Sequence, residues 1–211
     1  PVLASDLDQL RTYVNNTYGF DPGIYEGYNF QTDNFKFLGR IDWVISNKHR
    51  FSARYSQSET NDDDMVNTSS GPTGATRLNN GRRGGTNGGL AFDGTNFKNN
   101  TKVISGVIEL NSSISSKVSN QLIASYTDNQ PKRVPNVSAP FVDIMKDASN
   151  VYISLGTDLF SYKNSIKDIA YNVSDNVTAN LGKHVITGGV SYEYMTFENS
   201  FMSSGGPSYY R

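Results

Sequence analysis

From Asn34 the chain falls into period-two alternation, and this pattern limits its fold more than any other feature. Phe35, Phe37, Ile41, Trp43 and Ile45 share one face with Gly39, while Lys36, Arg40 and Asp42 take the other with Leu38 and Val44. About eleven residues of alternation is long for a strand in a globular domain and suits a tilted strand crossing a bilayer. Asn47-Lys48 supplies a tight turn. The return strand sets Phe51, Ala53 and Tyr55 against Arg50, Ser52, Arg54 and Ser56. The two runs predict a β-hairpin.

The unit recurs. Ser105 to Ile114 and Gln121 to Thr127 flank a turn near Ser116-Lys117, with Ile104, Ile108 and Leu110 on one face and Leu122, Ala124 and Tyr126 on the return. The first of these strands is ambiguous, because Val103 and Val107 occupy its other face. In the third copy Ile169, Tyr171, Val173, Val177 and Ala179 alternate with polar residues up to Gly182-Lys183, and Ile186, Val190, Tyr192 and Tyr194 continue beyond it. Three hairpins give six strands. Asn47-Lys48-His49 matches Gly182-Lys183-His184, with Ser116-Lys117 as the weaker copy, and the turns recur about 66 to 69 residues apart. Equal spacing marks one architectural unit repeated.

Composition narrows the environment. Thirteen Tyr and eleven Phe sit in a chain whose apolar residues amount to only 36%. Strands with one wet face have that balance. The formal net charge of −1 argues against a nucleic-acid partner. The absence of cysteine removes disulfides, thiolate metal sites and cysteine nucleophiles. No apolar run approaches the roughly 20 residues of a membrane-spanning helix, whereas a β-barrel hides its apolar face in alternation. The start at Pro1, without an initiator Met or signal peptide, reads as a mature or excised segment.

The connections are as telling as the hairpins. Ser5-Asp6-Leu7-Asp8 predicts an N-cap at Ser5 and a short helix stopping in Asn15-Asn16, followed by a turn through Tyr18 to Gly23. Residues 59 to 99 read as one long polar loop, and about 128 to 161, with Pro131, Pro135 and Pro140, as a second. Compact soluble domains rarely carry structureless loops beyond about 12–15 residues. Short turns at one end and long loops at the other are the asymmetry of an outer-membrane barrel.

Candidate chemistry is sparse. His49 and His184 each follow the Lys of a tight turn, which explains both without a metal or catalytic role. Asp62-Asp63-Asp64 offers oxygen ligands for Ca²⁺ but lacks the glycine and distant Glu of a helix-loop-helix calcium site, and reads as a solvated loop tip. Gly81 to Gly89 lacks the Lys-Ser or Lys-Thr of a phosphate loop, and Arg82 and Arg83 read as solvating residues, with contact to lipopolysaccharide as the alternative. Asn67, Asn111, Asn136, Asn172 and Asn176 open Asn-x-Ser/Thr triplets that a composition rich in these residues produces by chance. No catalytic, cofactor-binding or metal residue is identified, and no enzyme is expected.

Phe20-Asp21-Pro22-Gly23-Ile24-Tyr25-Glu26-Gly27-Tyr28, Gln31-Thr32-Asp33-Asn34, Lys36 to Trp43 and His49 to Tyr55 resemble the early barrel of TonB-dependent outer-membrane receptors. The chain is similar in particular to the Oar-like group common in Bacteroidetes, which carries a carboxypeptidase-regulatory-like domain. Gly182 to Gly189, through Tyr192-Glu193-Tyr194, resembles a later strand pair of that group. The resemblance implies an all-β, antiparallel transmembrane barrel of about 22 strands in the bacterial outer membrane. It also implies a plug domain outside this chain, an energising TonB complex of the inner membrane and a large ligand of unknown identity. On this reading residues 1–33 are a connecting segment with a short helix and turn, and 34–211 form part of the barrel. Phe35, Phe37, Ile41, Trp43, Phe51, Tyr55, Ile186 and Tyr192 are expected to face lipid, and Lys36, Arg40, Arg54 and Thr187 the lumen. In the full-length protein Ile186→Arg, at bilayer depth, is then expected to cost roughly 2–4 kcal/mol and Thr187→Arg much less. Two rival folds are a closed porin-like barrel of about eight strands, with the first 30 residues supplying the missing pair, and a soluble β-sandwich adhesin.

Overall fold

The computed structural model describes residues 1–66, 89–147 and 150–202. In chain order it contains α1 (Ala4–Tyr18), β1 (Thr32–Val44), β2 (His49–Asp64), β3 (Leu90–Ala91), β4 (Phe97–Ser113), β5 (Val118–Pro135), β6 (Val142–Met145), β7 (Val151–Leu155), β8 (Ser165–Leu181) and β9 (His184–Ser200). Six of these strands form one antiparallel sheet in the order β1-β2-β4-β5-β8-β9. Each predicted hairpin is a neighbouring pair in it. The remaining three form a small sheet, β3-β7-β6, in which β3 runs parallel to β7.

The turns repeat, but not as the sequence match ranks them. At 45–48 the Lys48 amide donates to Ser46 Oγ at 3.2 Å, and at 114–117 the Lys117 amide donates to Ser115 Oγ at 3.2 Å. Ile45-Ser46-Asn47-Lys48 and Ile114-Ser115-Ser116-Lys117 are thus the closer pair, built on the same serine hydroxyl. The third turn is a two-residue loop between paired Leu181 and His184, with Gly182 at φ +69°. Glycine fills the first position of such a loop because it carries positive φ without a Cβ clash.

Several boundaries move. Leu3 holds the N-cap position without a side-chain cap, so Ser5 lies inside α1. The helix continues through Asn15 and Asn16 to Tyr18 and ends at Gly19, in the left-handed conformation, whose amide bonds Asn15 O at 2.9 Å. Asp62, Asp63 and Asp64 are no loop tip; they extend β2, paired to Asn99, Lys98 and Phe97. Likewise β5 runs to Pro135, with Pro131 at the stretch where its ladder to β8 lapses, as a residue without an N–H requires. The strands reach 13 to 18 residues because they project past the apolar alternation.

Among the described residues hydrophobic burial is confined to the loop end of the sheet. Leu7 and Val14 of α1 pack with Phe92, Ile153 and Leu155, supported by Phe20 and Tyr25, while Val66, Phe141 and Leu159 form a second cluster. Among the described residues of the six-stranded sheet only Phe97, at the tip of β4, is a buried hydrophobic. The first 31 residues therefore supply a helix and an extended segment to this cap and no strand to the sheet. That removes the eight-stranded closure that needed them as a strand pair. Nor, among the described residues, does a second sheet cover the large one, as a sandwich requires: Ile41 stays 68% exposed, Trp43 60% and Tyr192 68%.

Candidate functional site

Register decides which side chains share a face. Residues directly opposite in an antiparallel ladder project to the same side. Ile41, Ala53, Ile108, Ala124, Val173 and Tyr192 make one row across all six strands. Gly39, Tyr55, Gly106, Tyr126, Tyr171 and Tyr194 make the next, with tyrosine rings in contact at 5.2 Å between Tyr126 and Tyr171. The ambiguity of β4 is settled here, since Ile104, Ile108 and Leu110 join this apolar face and Val103 and Val107 do not. Asp175 breaks the pattern in the row of Trp43, Phe51, Leu110, Leu122 and Val190. Its carboxylate accepts a hydrogen bond from the Asn120 amide close to the turn end.

The opposite face is mainly polar, with Leu38, Val107 and Ile123 among its apolar exceptions. Arg40, Arg54, Val107, Ser125, Asn172 and Glu193 form one row, and Asp42, Ser52, Glu109, Ile123, Ser174 and Ser191 the next. Arg40 Nη2 lies 2.7 Å from Asp42 Oδ1. Glu109 Oε1 accepts from the amides of Gln121 and Asn111, each at 2.7 Å. Lys36 and Thr187 lie on this face as well, so the eight apolar and four polar positions anticipated in the sequence divide as expected.

At the loop end a dense polar network holds the cap. Arg11 grips Asp21 through two hydrogen bonds of 2.9 Å, and Asp21 also accepts from the Gly23 amide at 2.9 Å. These bonds hold the Asp21 carboxyl below the usual carboxylate range, the guanidinium hydrogen bond contributing most. Tyr25 donates to Asp8 at 3.0 Å and Tyr152 to Asp6 at 2.5 Å, and each bond pushes its phenol up. Asp93 joins the segments: its Oδ1 accepts from the Ile24 amide at 2.6 Å, and its own amide donates to Ile24 O at 2.7 Å. This tie between residues 69 apart in the chain carries no local sequence signal.

His49 and His184 remain at the turn end, the former 2.9 Å from Ser112 Oγ and the latter paired with Leu181. Among the described residues no three His, Cys, Asp or Glu side chains are grouped to hold a metal. Asn111, Asn172 and Asn176 lie in the sheet and Asn136 in the cap, where its amide donates to Asp93 O. Asn67 and the run from Gly81 with Arg82 and Arg83 fall outside the described residues.

Among the described residues no helix is long and apolar enough to cross a membrane. The crossing element is the sheet: one apolar face, one polar face, short turns below and a folded cap above. The family described as Outer membrane beta barrel domain matches residues 5–210. The chain belongs to this family. No curated protein matches it. An outer membrane beta barrel sits in the bacterial outer membrane, with its short turns in the periplasm and its long loops outside the cell. The cap of α1 and the small sheet is thereby extracellular. In such a barrel wall the hydrocarbon meets the row of Ile41 and Tyr192, and the lumen meets the row of Arg40 and Glu193.

Proposed function

We propose that the chain is a wall section of a TonB-dependent transporter of the Oar-like kind, which takes up or passes a large ligand. The partners of this non-catalytic role are outer-membrane lipid, a plug domain outside the chain and an energising TonB complex of the inner membrane. The observation that carries the reading is the open sheet: β1 and β9 have no partner on their outer edges among the described residues. A strand edge in hydrocarbon leaves backbone groups unpaired at several kcal/mol each, so a barrel wall needs further strands on both sides. A large, plugged barrel meets that need. The resemblance of residues 20–55 and 182–194 to TonB-dependent receptors adds to it.

Planar-bilayer recording of the full-length protein tests the proposal. A plugged transporter stays closed and opens to a large conductance when the plug is deleted. Open conductance of the intact protein, equal to that of the deletion variant, would point to a porin-type channel and reject it.

A further inference from the structure

Among the described residues the lipid-facing side carries three hollows, one above another on the same strands. The lowest is an apolar groove of about 670 Å³, floored by Ala53, Gly106 and Ala124 and walled by Ile41, Ile108 and Val173. Gly106 deepens it, because a Cβ there would meet nothing within 4 Å. Four residues up β4, about 13 Å of strand, lies a cavity of about 370 Å³ lined by Lys98, Lys102 and Lys132 with Asn100 and Gln130. Lys98 is tied to Asp63 at 3.1 Å, whereas Lys102 and Lys132 make no ion pair among the described residues. Glu59 stands opposite Lys102 in the ladder and takes a hydrogen bond from Asn100 at 3.3 Å.

The uppermost hollow, about 320 Å³, shares Lys98 and Val134 with the one beneath and is roofed by Tyr28 and Phe30. Those rings meet edge to face at 5.8 Å, and Phe30 is 45% exposed. Asn96, buried to 6% exposure, accepts a hydrogen bond from the Val66 amide on its Oδ1, while its Nδ2 donates to nothing among the described residues. Asn136 uses its Nδ2 on Asp93 O, leaving its side-chain carbonyl without a donor among the described residues. An aromatic pair with free amide groups suits an array of hydroxyls on apolar rings.

We propose that this strip binds a phosphorylated glycolipid of the outer leaflet: acyl chain in the groove, phosphate on Lys102 and Lys132, saccharide against Phe30, Asn96 and Asn136. The vertical order of apolar, cationic and aromatic-amide surfaces matches the order of parts in that one amphiphile. A phospholipid would fill the lower two hollows and leave the third empty. The assignment rests on the outer-membrane location and not on the transport reading.

The test is native mass spectrometry of the full-length protein in detergent, titrated with purified lipopolysaccharide and, separately, with phosphatidylglycerol. Lipopolysaccharide is expected to bind at least tenfold more tightly. The double variant Lys102→Gln/Lys132→Gln should lose tenfold or more of that affinity, and Phe30→Ala several-fold without affecting phosphatidylglycerol. Lys117→Gln, at the opposite end of the wall, should change neither. Equal affinity for the two lipids overturns the proposal, as does unchanged lipopolysaccharide binding in either the lysine variant or Phe30→Ala. Because Phe30 lies outside the sheet, its variant decides the matter even if the lysine variant fails to insert.

Discussion

Arg40 stands directly opposite Arg54 across the β1–β2 ladder, and Asp42 relieves the repulsion by engaging the Arg40 guanidinium through both carboxylate oxygens, at 2.7 to 3.0 Å. Like charges in directly opposed positions destabilise a sheet, so the neighbouring carboxylate is what makes the pair tolerable. Asp42→Ala is expected to destabilise the full-length protein in lipid vesicles, and adding Arg54→Ser should restore most of the loss. Urea unfolding at low and high salt reads both effects, which should shrink as salt rises. A double variant no more stable than Asp42→Ala alone would show that the arginines do not repel.

Depth along the strand sets the cost of a charge on the lipid face. Register places Ile186 only two residues beyond its turn partner His184, near the membrane boundary, whereas Val173 lies in the middle of the apolar rows. Val173→Arg should therefore cost roughly 2–4 kcal/mol of folding free energy in bilayers, and Ile186→Arg about 0–1 kcal/mol. This revises the larger cost that alternation alone assigns to Ile186. Asn172→Arg, on the lumen side, should cost little. Equal penalties at 172 and 173 would refute the facing assignment.

Titration should loosen the cap at both ends of the pH scale, by protonation of Asp21 in acid and by deprotonation of Tyr25 and Tyr152 in alkali. The Asp21 carboxyl is held low by Arg11 and the Gly23 amide, so its contribution is present above the ordinary value near 3.9 and fades as pH falls through the lowered one. The phenols of Tyr25 and Tyr152 are pushed up by Asp8 and Asp6, so theirs is present below about 10 and fades as pH rises through the raised values. Hydrogen exchange of α1 should quicken in both windows, and Asp21→Asn should abolish the acid one alone.

Gly23 tests the join between the N-terminal segment and the cap. At φ +97°, a Cβ there would sit 1.8 Å from Asp93 Oδ1, the acceptor for the Ile24 amide. Gly23→Ala should detach the segment, by about 1–3 kcal/mol from backbone strain alone, and raise protease cleavage near Ile24. Gly19→Asn should be tolerated, because that position has open space and Asn accepts the left-handed conformation.

The alternation that marks Phe35 to Ile45 is legible because a bilayer imposes it directly: each lipid-facing side chain must be apolar whatever its neighbours do. The same strands become illegible where they leave the hydrocarbon. Asp62 to Asp64 pair as regularly as Phe51 to Tyr55, yet with both faces wet their sequence has no periodicity to detect. The cap is hidden for a different reason. Leu7, Phe92 and Ile153 make one core from three distant segments, and although Leu7, Leu10 and Val14 recur at helical spacing, nothing local says which distant residues cover them. What could have been noticed is the Ile-Ser-x-Lys repeat at 45–48 and 114–117, which marks the two turns that share a geometry.

The cap is knitted from the segment before β1, the connection between β2 and β4 and the connection between β5 and β8, and it holds nearly all of the buried hydrophobic side chains among the described residues. Its core closes only after all three segments have crossed to the outside. Once closed, none can slip back through hydrocarbon without first surrendering that core and dragging the Arg11, Asp21 and Asp93 network out of water. Opening the cap therefore has to precede withdrawal of any hairpin, and the free energy of its core adds to the cost of that withdrawal.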